Sequence, residues 1–224
     1  MVGKGQLMME NKLFDNNSLS RLIAEQITEE IITGKLQPGD KLVETNYAEE
    51  FGTSRAPIRE AFYLLTIDGL VERIPRKGSV VKGYSEQDKI DLLEIRMFLE
   101  TLALDRIATV GPSENILKQM EEVQKQMENE NGDPMEYTKL NQQFHMSIIE
   151  MSKSEIIRMM YARLGLPLTS LQRITFEGQA NRQKSLQEHR GILDSLRNRN
   201  FEEAKNILVE NHHNVLKPVM DELN

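Results

Sequence analysis

The sequence of 224 residues predicts a mainly α-helical protein. We expect an N-terminal winged helix-turn-helix domain with a small β wing, followed by an all-α bundle of six or seven helices. A short helix, a tight turn and a second helix with basic residues in its first turn predict the first domain. Two short β-prone runs around a basic turn predict the wing. Beyond residue 86, apolar residues recur at helical spacing with almost no strand pattern.

Composition restricts the class of protein. The length accommodates two domains that each bury a core. The absence of cysteine excludes a disulfide framework and thiolate metal sites. The start of the chain lacks the apolar run of a signal peptide, and no stretch approaches the roughly 20 apolar residues of a membrane span. We therefore expect a cytoplasmic protein without a membrane partner. The predicted parts are a tail at 1–17, the winged domain at 18–82, a linker at 83–86 and the helical domain at 87–224.

The elements of the winged domain follow in order. Apolar residues keep a helical period from about Ser18 to Thr33, and Gly34 ends this first helix. A short second helix begins near Thr45 and ends at Gly52. The third begins at Ser54, whose hydroxyl is suited to capping the first amide groups.

The third helix has two distinct faces. Pro57 is tolerated in its first turn, where the missing N–H removes no helical bond. One stripe is apolar and predicted to pack, while a neighbouring flank carries the arginines. The apolar stripe consists of Ile58, Ala61, Phe62 and Leu65, and the flank consists of Arg55, Arg59, Tyr63 and Thr66.

These basic residues predict contact with double-stranded DNA. The second helix of a helix-turn-helix enters the major groove with its N-terminus first, and the arginine fork matches both guanine and phosphate acceptors. Arg55 and Arg59 are therefore predicted to read DNA, and the wing tip at Arg76, Lys77 and Gly78 to contact phosphates or the minor groove. The net charge of -7 does not oppose this, because residues 53–82 hold six basic and three acidic residues.

Four segments resemble the GntR family of bacterial transcription regulators, in family order and spacing. They are Leu36 to Leu42, Ser54 to Ala61, Asp68 to Val71, and Arg76 to Val81. The resemblance implies that Arg55 and Arg59 read DNA and that residues 76–78 form the wing tip. Thr45, Ser54 and Pro57 complete the predicted DNA-binding set. Thr45 stands where the fatty-acid-responsive branch often has arginine, so the operator sequence does not transfer.

The second domain resembles the all-helical FCD ligand-sensing domain of one GntR subfamily. The matching segments are Arg96 to Glu100, Asn141 to His145, Glu188 to Leu193 and the last helix from Ala204. In many members an aspartate, a histidine four residues later and two more histidines hold a divalent metal that helps bind a carboxylate effector. His145 and His189 occupy two of these positions. Asn141 replaces the aspartate, and an ungapped alignment places Asn211, not His212, at the last position.

Two versions of this site stay open. In one, zinc or nickel lies between His145 and His189, with weaker help from Asn141 and from Asn211 or His212. In the other, the ion is lost and the polar residues bind an organic effector directly.

Arg96 also has two interpretations. It can pair with Glu100, one helical turn further on, because a buried arginine costs desolvation unless it is paired. Alternatively it faces a cavity and binds an anionic ligand bidentately. The predicted effector-binding residues are Arg96, Asn141, His145 and His189.

The function we predict is a ligand-responsive repressor of transcription. It would bind a near-palindromic operator as a homodimer, because two-fold protein symmetry maps onto two-fold sequence symmetry. A small carboxylate metabolite would be its effector. One alternative is a metal-dependent enzyme using His145 and His189, although the sequence contains no His-Glu-x-x-His motif. Another is a dimeric DNA-binding scaffold whose bundle senses nothing.

Overall fold

The computed structural model describes residues 19–130 and 132–221. It divides into two compact units between Gly83 and Tyr84. The predicted tail at 1–17 lies outside the described residues. In the described part of the chain, no helix has the length and apolar character needed to cross a membrane.

The first unit has the predicted winged helix-turn-helix architecture. Its elements are α1 (19–32), β1 (Lys41–Leu42), α2 (Glu44–Glu50), α3 (Arg55–Ile67), β2 (Val71–Ile74) and β3 (Gly78–Val81). The predicted apolar stripe of α3 is buried, and Tyr47 of α2 packs edge-on against Phe62 with ring centroids 5.6 Å apart. The arginine-bearing flank of α3 is exposed. The periodicity of α3 therefore predicted correctly which side packs and which side faces outward.

The beginning of α3 differs in one detail from the prediction. Ser54 occupies the N-cap position with an extended backbone, but its side chain makes no capping hydrogen bond. Because Ser54, Arg55 and Ala56 are all exposed, water can satisfy the first amide groups of the helix. Pro57 is buried in the first turn, as its missing N–H allows.

The wing is larger than predicted. Its sheet has three antiparallel strands in the order β1-β3-β2, and not two. The additional strand β1 pairs Lys41 with Val80 and Leu42 with Ser79. A strand of two residues shows no alternation in the sequence, so it is defined by its backbone pairing alone. At the wing tip Arg76 and Gly78 have positive φ angles of 68° and 92°, which turn the chain sharply between β2 and β3.

The second unit is helical throughout its described residues. Its seven helices are α4 (Glu86–Val110), α5 (Glu114–Glu128), α6 (Pro134–Met151), α7 (Glu155–Ala162), α8 (Gly165–Thr175), α9 (Gln179–Arg197) and α10 (Phe201–Asp221). The helical period of the sequence predicts one helix from Glu155 to about Thr175, but the chain turns at Arg163 and Leu164 and forms two. Ser85 and Asp88 have the spacing of a capping box, and this box is present at the start of α4.

The apolar period of α4 predicts a buried face of Ile90, Leu93, Met97, Phe98 and Leu102. Leu93 is buried, and Ile90 and Leu102 pack partly buried against the core, but Phe98 is 65% exposed. The buried face also includes Arg96 and Glu100, which an apolar pattern does not reveal. Helices α6, α7 and α10 pack against α4, so its two buried charged residues lie in the interior of the bundle. This interior is where the predicted effector residues are found.

Candidate functional site

The exposed side of α3 presents the predicted DNA-binding residues of the first unit. Arg55 and Arg59 are both exposed at its beginning, and Thr45 of α2 is half-buried. Arg59 Nε donates to Glu44 Oε2 at 3.1 Å, in a pair whose arginine side chain is 61% exposed. Arg76, Lys77 and Gly78 are exposed at the wing tip. A surface pair of this kind is weak in water, so Arg59 can exchange Glu44 for another anion.

The second unit contains a buried polar cluster around the carboxylate of Glu100. Arg96 Nε donates to Glu100 Oε1 at 2.8 Å, and the Tyr161 hydroxyl donates to the same oxygen at 2.7 Å. His145 Nδ1 lies 2.6 Å and His212 Nε2 lies 3.1 Å from Glu100 Oε2. Four donors from four helices thus converge on one carboxylate. The pairing of Arg96 with Glu100 is the first of the two interpretations that the sequence left open for Arg96.

The electrostatics of this cluster favour an ionised Glu100 beside neutral histidines. Burial alone would raise the pKa of Glu100, but Arg96, His145 and His212 outweigh it and hold this pKa well below its ordinary value. Burial lowers the pKa of His145 to about 4, and Arg96 adds to the effect. Burial likewise lowers the pKa values of His189 and His212. A neutral His145 must then carry its proton on Nδ1, where it donates to Glu100.

This tautomer directs the free Nε2 atom of His145 toward His189. The Nε2 atoms of His145 and His189 lie 3.2 Å apart. Two imidazole ligands of a tetrahedral zinc ion would have nitrogens about 3.3 Å apart, given Zn–N bonds near 2.0–2.1 Å. A hydrogen bond from His189 Nε2 spans the same distance. The two imidazoles therefore fit a divalent metal, and the carboxylate behind His145 is the partner that metal-binding histidines usually have.

The structure distinguishes Asn211 from His212, the two candidates for the last metal-ligand position. His212 is buried beside Glu100. Among the His, Asp and Glu residues that the structure describes, the ligand atoms of Glu100, His145 and His212 lie within 4.8 Å of one another, so this group could hold a metal. Asn211 donates its amide to Glu188 at 2.6 Å instead. The ungapped alignment thus assigned the inward position to Asn211, whereas His212 is the residue that joins His145.

A cavity of about 160 Å³ adjoins the cluster. Its described wall includes Arg96, Tyr161 and Gln172. Within the described residues, Arg96 Nη2, both amide atoms of Gln172 and Asn141 Nδ2 are buried without a hydrogen-bond partner. We considered Glu100 only as a partner of Arg96, and missed Tyr161 and Gln172. The spacing of Glu100 from Arg96 was a usable signal, whereas the other two residues had none.

The buried histidines predict a pH dependence of stability. Below about pH 6.5 a histidine in the unfolded chain binds a proton, whereas a buried neutral histidine does not. The free energy of unfolding therefore decreases as the pH is lowered below this value. Glu100 contributes at lower pH, because its folded pKa lies below the ordinary value of 4.5. We expect His189→Gln to make the fall between pH 7 and 5 shallower by up to about 1.4 kcal/mol per pH unit.

Denaturant unfolding of the intact chain, with a chelator present, measures this slope. The exposed His213 provides the matched control, and His213→Gln should leave the slope unchanged. Identical slopes in the wild-type protein and both variants would contradict the prediction.

Comparisons with known proteins identify both units. Residues 19–81 match the family described as "Bacterial regulatory proteins, gntR family", and residues 91–213 match the FCD domain. The HTH-type transcriptional regulator YdhC of Bacillus subtilis (strain 168) is 30% identical over 203 residues, which cover 88% of this chain and 90% of YdhC. The gluconate operon transcriptional repressor of the same strain is 26% identical over 73% of this chain and 68% of its own length.

The solved structures show the same fold. The crystal structure of a GntR transcriptional regulator from Rhodococcus sp. RHA1 has a TM-score of 0.77 at 19% identity, and the match covers 91% of this chain and 98% of that one. The family match confirms the prediction of a regulator and not an enzyme. The chain belongs to the GntR family of bacterial regulatory proteins and is a DNA-binding transcription regulator with an FCD domain.

Proposed function

We propose that this regulator is a repressor that binds a near-palindromic operator as a homodimer and responds to a small carboxylate metabolite. Its place of action is the cytoplasm, where the DNA lies. The observation that carries the proposal is that one chain contains both an exposed arginine flank on α3 and a buried polar cavity in the helical unit. One binds DNA, and the other binds the molecule that controls DNA binding.

DNA recognition rests on the beginning of α3 and on the wing tip. Arg55 and Arg59 are exposed one helical turn apart, so both can reach one stretch of the major groove. The amide groups at this helix start have no side-chain cap from Ser54, and they favour a phosphate oxygen. Thr45 on α2 and residues 76–78 on the wing add contacts that position the protein on the backbone.

Glu44 holds Arg59 until DNA replaces it. A carboxylate close to the phosphate backbone is repelled, so binding transfers the arginine from Glu44 to a base or a phosphate. Because the pair is exposed, its loss costs little.

The role of Arg59 can be measured with DNA from the protein's own promoter region. We expect Arg59→Ala to weaken specific binding by about 1–3 kcal/mol, the range of a bidentate arginine contact to guanine. Arg106→Ala, which removes an exposed arginine from α4 in the other unit, should leave affinity unchanged. Unchanged affinity of Arg59→Ala at fixed salt would refute this role.

Exposed apolar side chains support the proposed homodimer. Ile95 and Phe98 lie one turn apart on α4 and are exposed, and α7 carries three more. Because α4 packs against α7, we assign a dimer surface to Ile95, Phe98, Ile156, Met159 and Met160. Apolar residues clustered on a surface are typical of sites that pair with another protein.

Sedimentation equilibrium of the intact chain tests this surface. Phe98→Ser should shift the protein toward the monomer, because it removes the most exposed large apolar side chain of the set on α4. Val110→Ser, at an exposed apolar position near the end of the same helix, should leave the dimer intact. A monomeric wild-type protein, or a dimer unaffected by Phe98→Ser, would overturn the assignment.

The effector is proposed to bind in the cavity beside Arg96. The Nη2 group of Arg96 is buried and unpaired among the described residues, so a carboxylate oxygen can accept its hydrogen bond. Asn141, His145 and His189 lie within the same bundle interior and complete the proposed site. The named function of the gluconate operon repressor is consistent with an organic acid as the effector.

A divalent ion, zinc or nickel, is proposed between His145 and His189, with weaker help from Asn141 and from His212. When bound, it would supply positive charge and a coordination position for the effector carboxylate. Glu100 holds the ring of His145 in the orientation that this requires.

Elemental analysis decides whether the ion is retained. Wild-type protein purified without chelator should contain the metal, and His145→Ala and His189→Ala should lose it. His213→Ala, at an exposed position, should retain it. Equal metal content in all four proteins would count against the site, and metal-free wild-type protein would favour direct binding of the effector.

Control of DNA binding follows from differential affinity. The effector shifts operator affinity only to the extent that it prefers one arrangement of the protein over another. The chain joins the two units near Gly83, which is where we propose that the shift passes. A scaffold without an effector would instead show the same operator affinity with every small molecule added.

A further inference from the structure

Gln172 of α8 is a buried residue that the sequence analysis did not single out. It is 1% exposed, as is Arg96, and both line the cavity of about 160 Å³. Neither amide atom of Gln172 has a hydrogen-bond partner among the residues that the structure describes. Buried polar atoms are rarely left unpaired, so an amide of this kind points to a ligand or to ordered water.

The remaining described wall of the cavity distinguishes these two occupants. It includes Met146 and Leu168, which offer no hydrogen bond, and Gln142, whose amide is already bound to α8. Arg96 Nη2 and the two amide atoms of Gln172 are enough to hold one ordered water, but one water fills only about 30 Å³ and leaves the apolar part of this cavity of about 160 Å³ without a partner. A carbon chain that bears polar groups fits both the apolar wall and the unpaired atoms.

The volume limits the size of such a ligand. Sites for drug-sized molecules usually measure about 300–1,000 Å³. At about 160 Å³ this cavity suits a small metabolite.

We infer that Gln172 is a specificity-determining residue that selects hydroxylated carboxylates over plain alkyl carboxylates of the same length. The inference rests on the proposed function, because it takes Arg96 as the partner of the carboxylate. The amide of Gln172 both donates and accepts, and so does a hydroxyl group. An alkyl chain would bury the same amide without a partner. Sites built to bind a hydroxyl group discriminate strongly for this reason.

Calorimetric titration of the intact protein with two matched pairs of probes tests the inference. The pairs are gluconate with hexanoate and 4-hydroxybutanoate with butanoate. In at least one pair, the hydroxylated member should bind the wild-type protein at least about tenfold more tightly than the plain member. Gln172→Met keeps the length of the side chain but removes its hydrogen bonds, so it should bring this ratio close to one.

Gln124→Met provides the control, because Gln124 is a buried glutamine of α5 that is absent from the described cavity wall. It should keep the wild-type ratio. Equal binding of both members by wild-type protein would overturn the inference and leave the carboxylate effector standing. Binding of no probe in either pair would overturn both. If the affinity ratio persists in Gln172→Met, Gln172 is not the residue that selects the hydroxyl group. The ratio in the wild-type protein is measured without any variant, so it does not depend on whether a variant folds.

Discussion

The buried carboxylate of Glu100 is the group on which the proposed effector site depends. An unpaired carboxylate in a protein interior costs several kcal/mol, so the helices that carry its donors must stay in place. Arg96, His145, Tyr161 and His212 reach it from α4, α6, α7 and α10. Glu100 also sets the tautomer of His145 and thereby turns the Nε2 atom toward His189. The contact that satisfies this buried carboxylate therefore also fixes the orientation of His145.

The sequence predicted the winged unit well, because its signals are local. Pro57 marks the beginning of α3, and the period of Ile58 to Leu65 marks its buried side. The strand β1 escaped prediction because its two residues pair with a strand almost forty positions away. In α4 the apolar period identified Leu93 correctly but not Phe98, because it assumes that buried residues are apolar. Arg96 and Glu100 are buried there while Phe98 is exposed, and only the tertiary structure reveals this exchange.

The choice between Asn211 and His212 shows a second limit of sequence reasoning. Adjacent residues on a helix point about 100° apart, so a shift of one position changes what a side chain meets. An ungapped alignment counts positions but does not fix the rotation of α10, which depends on packing against α4 and α9. In the structure that rotation brings His212 to Glu100 and Asn211 to Glu188. Residue spacing could name the two candidates but not decide between them.

Charge balance links the effector to the metal. The positive charge of Arg96 is already matched by Glu100, and burial keeps His145 and His189 neutral near pH 7. A carboxylate bound at Arg96 would therefore add an uncompensated negative charge to the interior, which is costly. A divalent ion between the two histidines would remove that cost, whereas direct binding of a carboxylate without the ion would need hydrogen bonds from Arg96 Nη2 and Gln172 to offset it. The charge that the proposed effector can carry at Arg96 therefore depends on whether the proposed metal site is occupied.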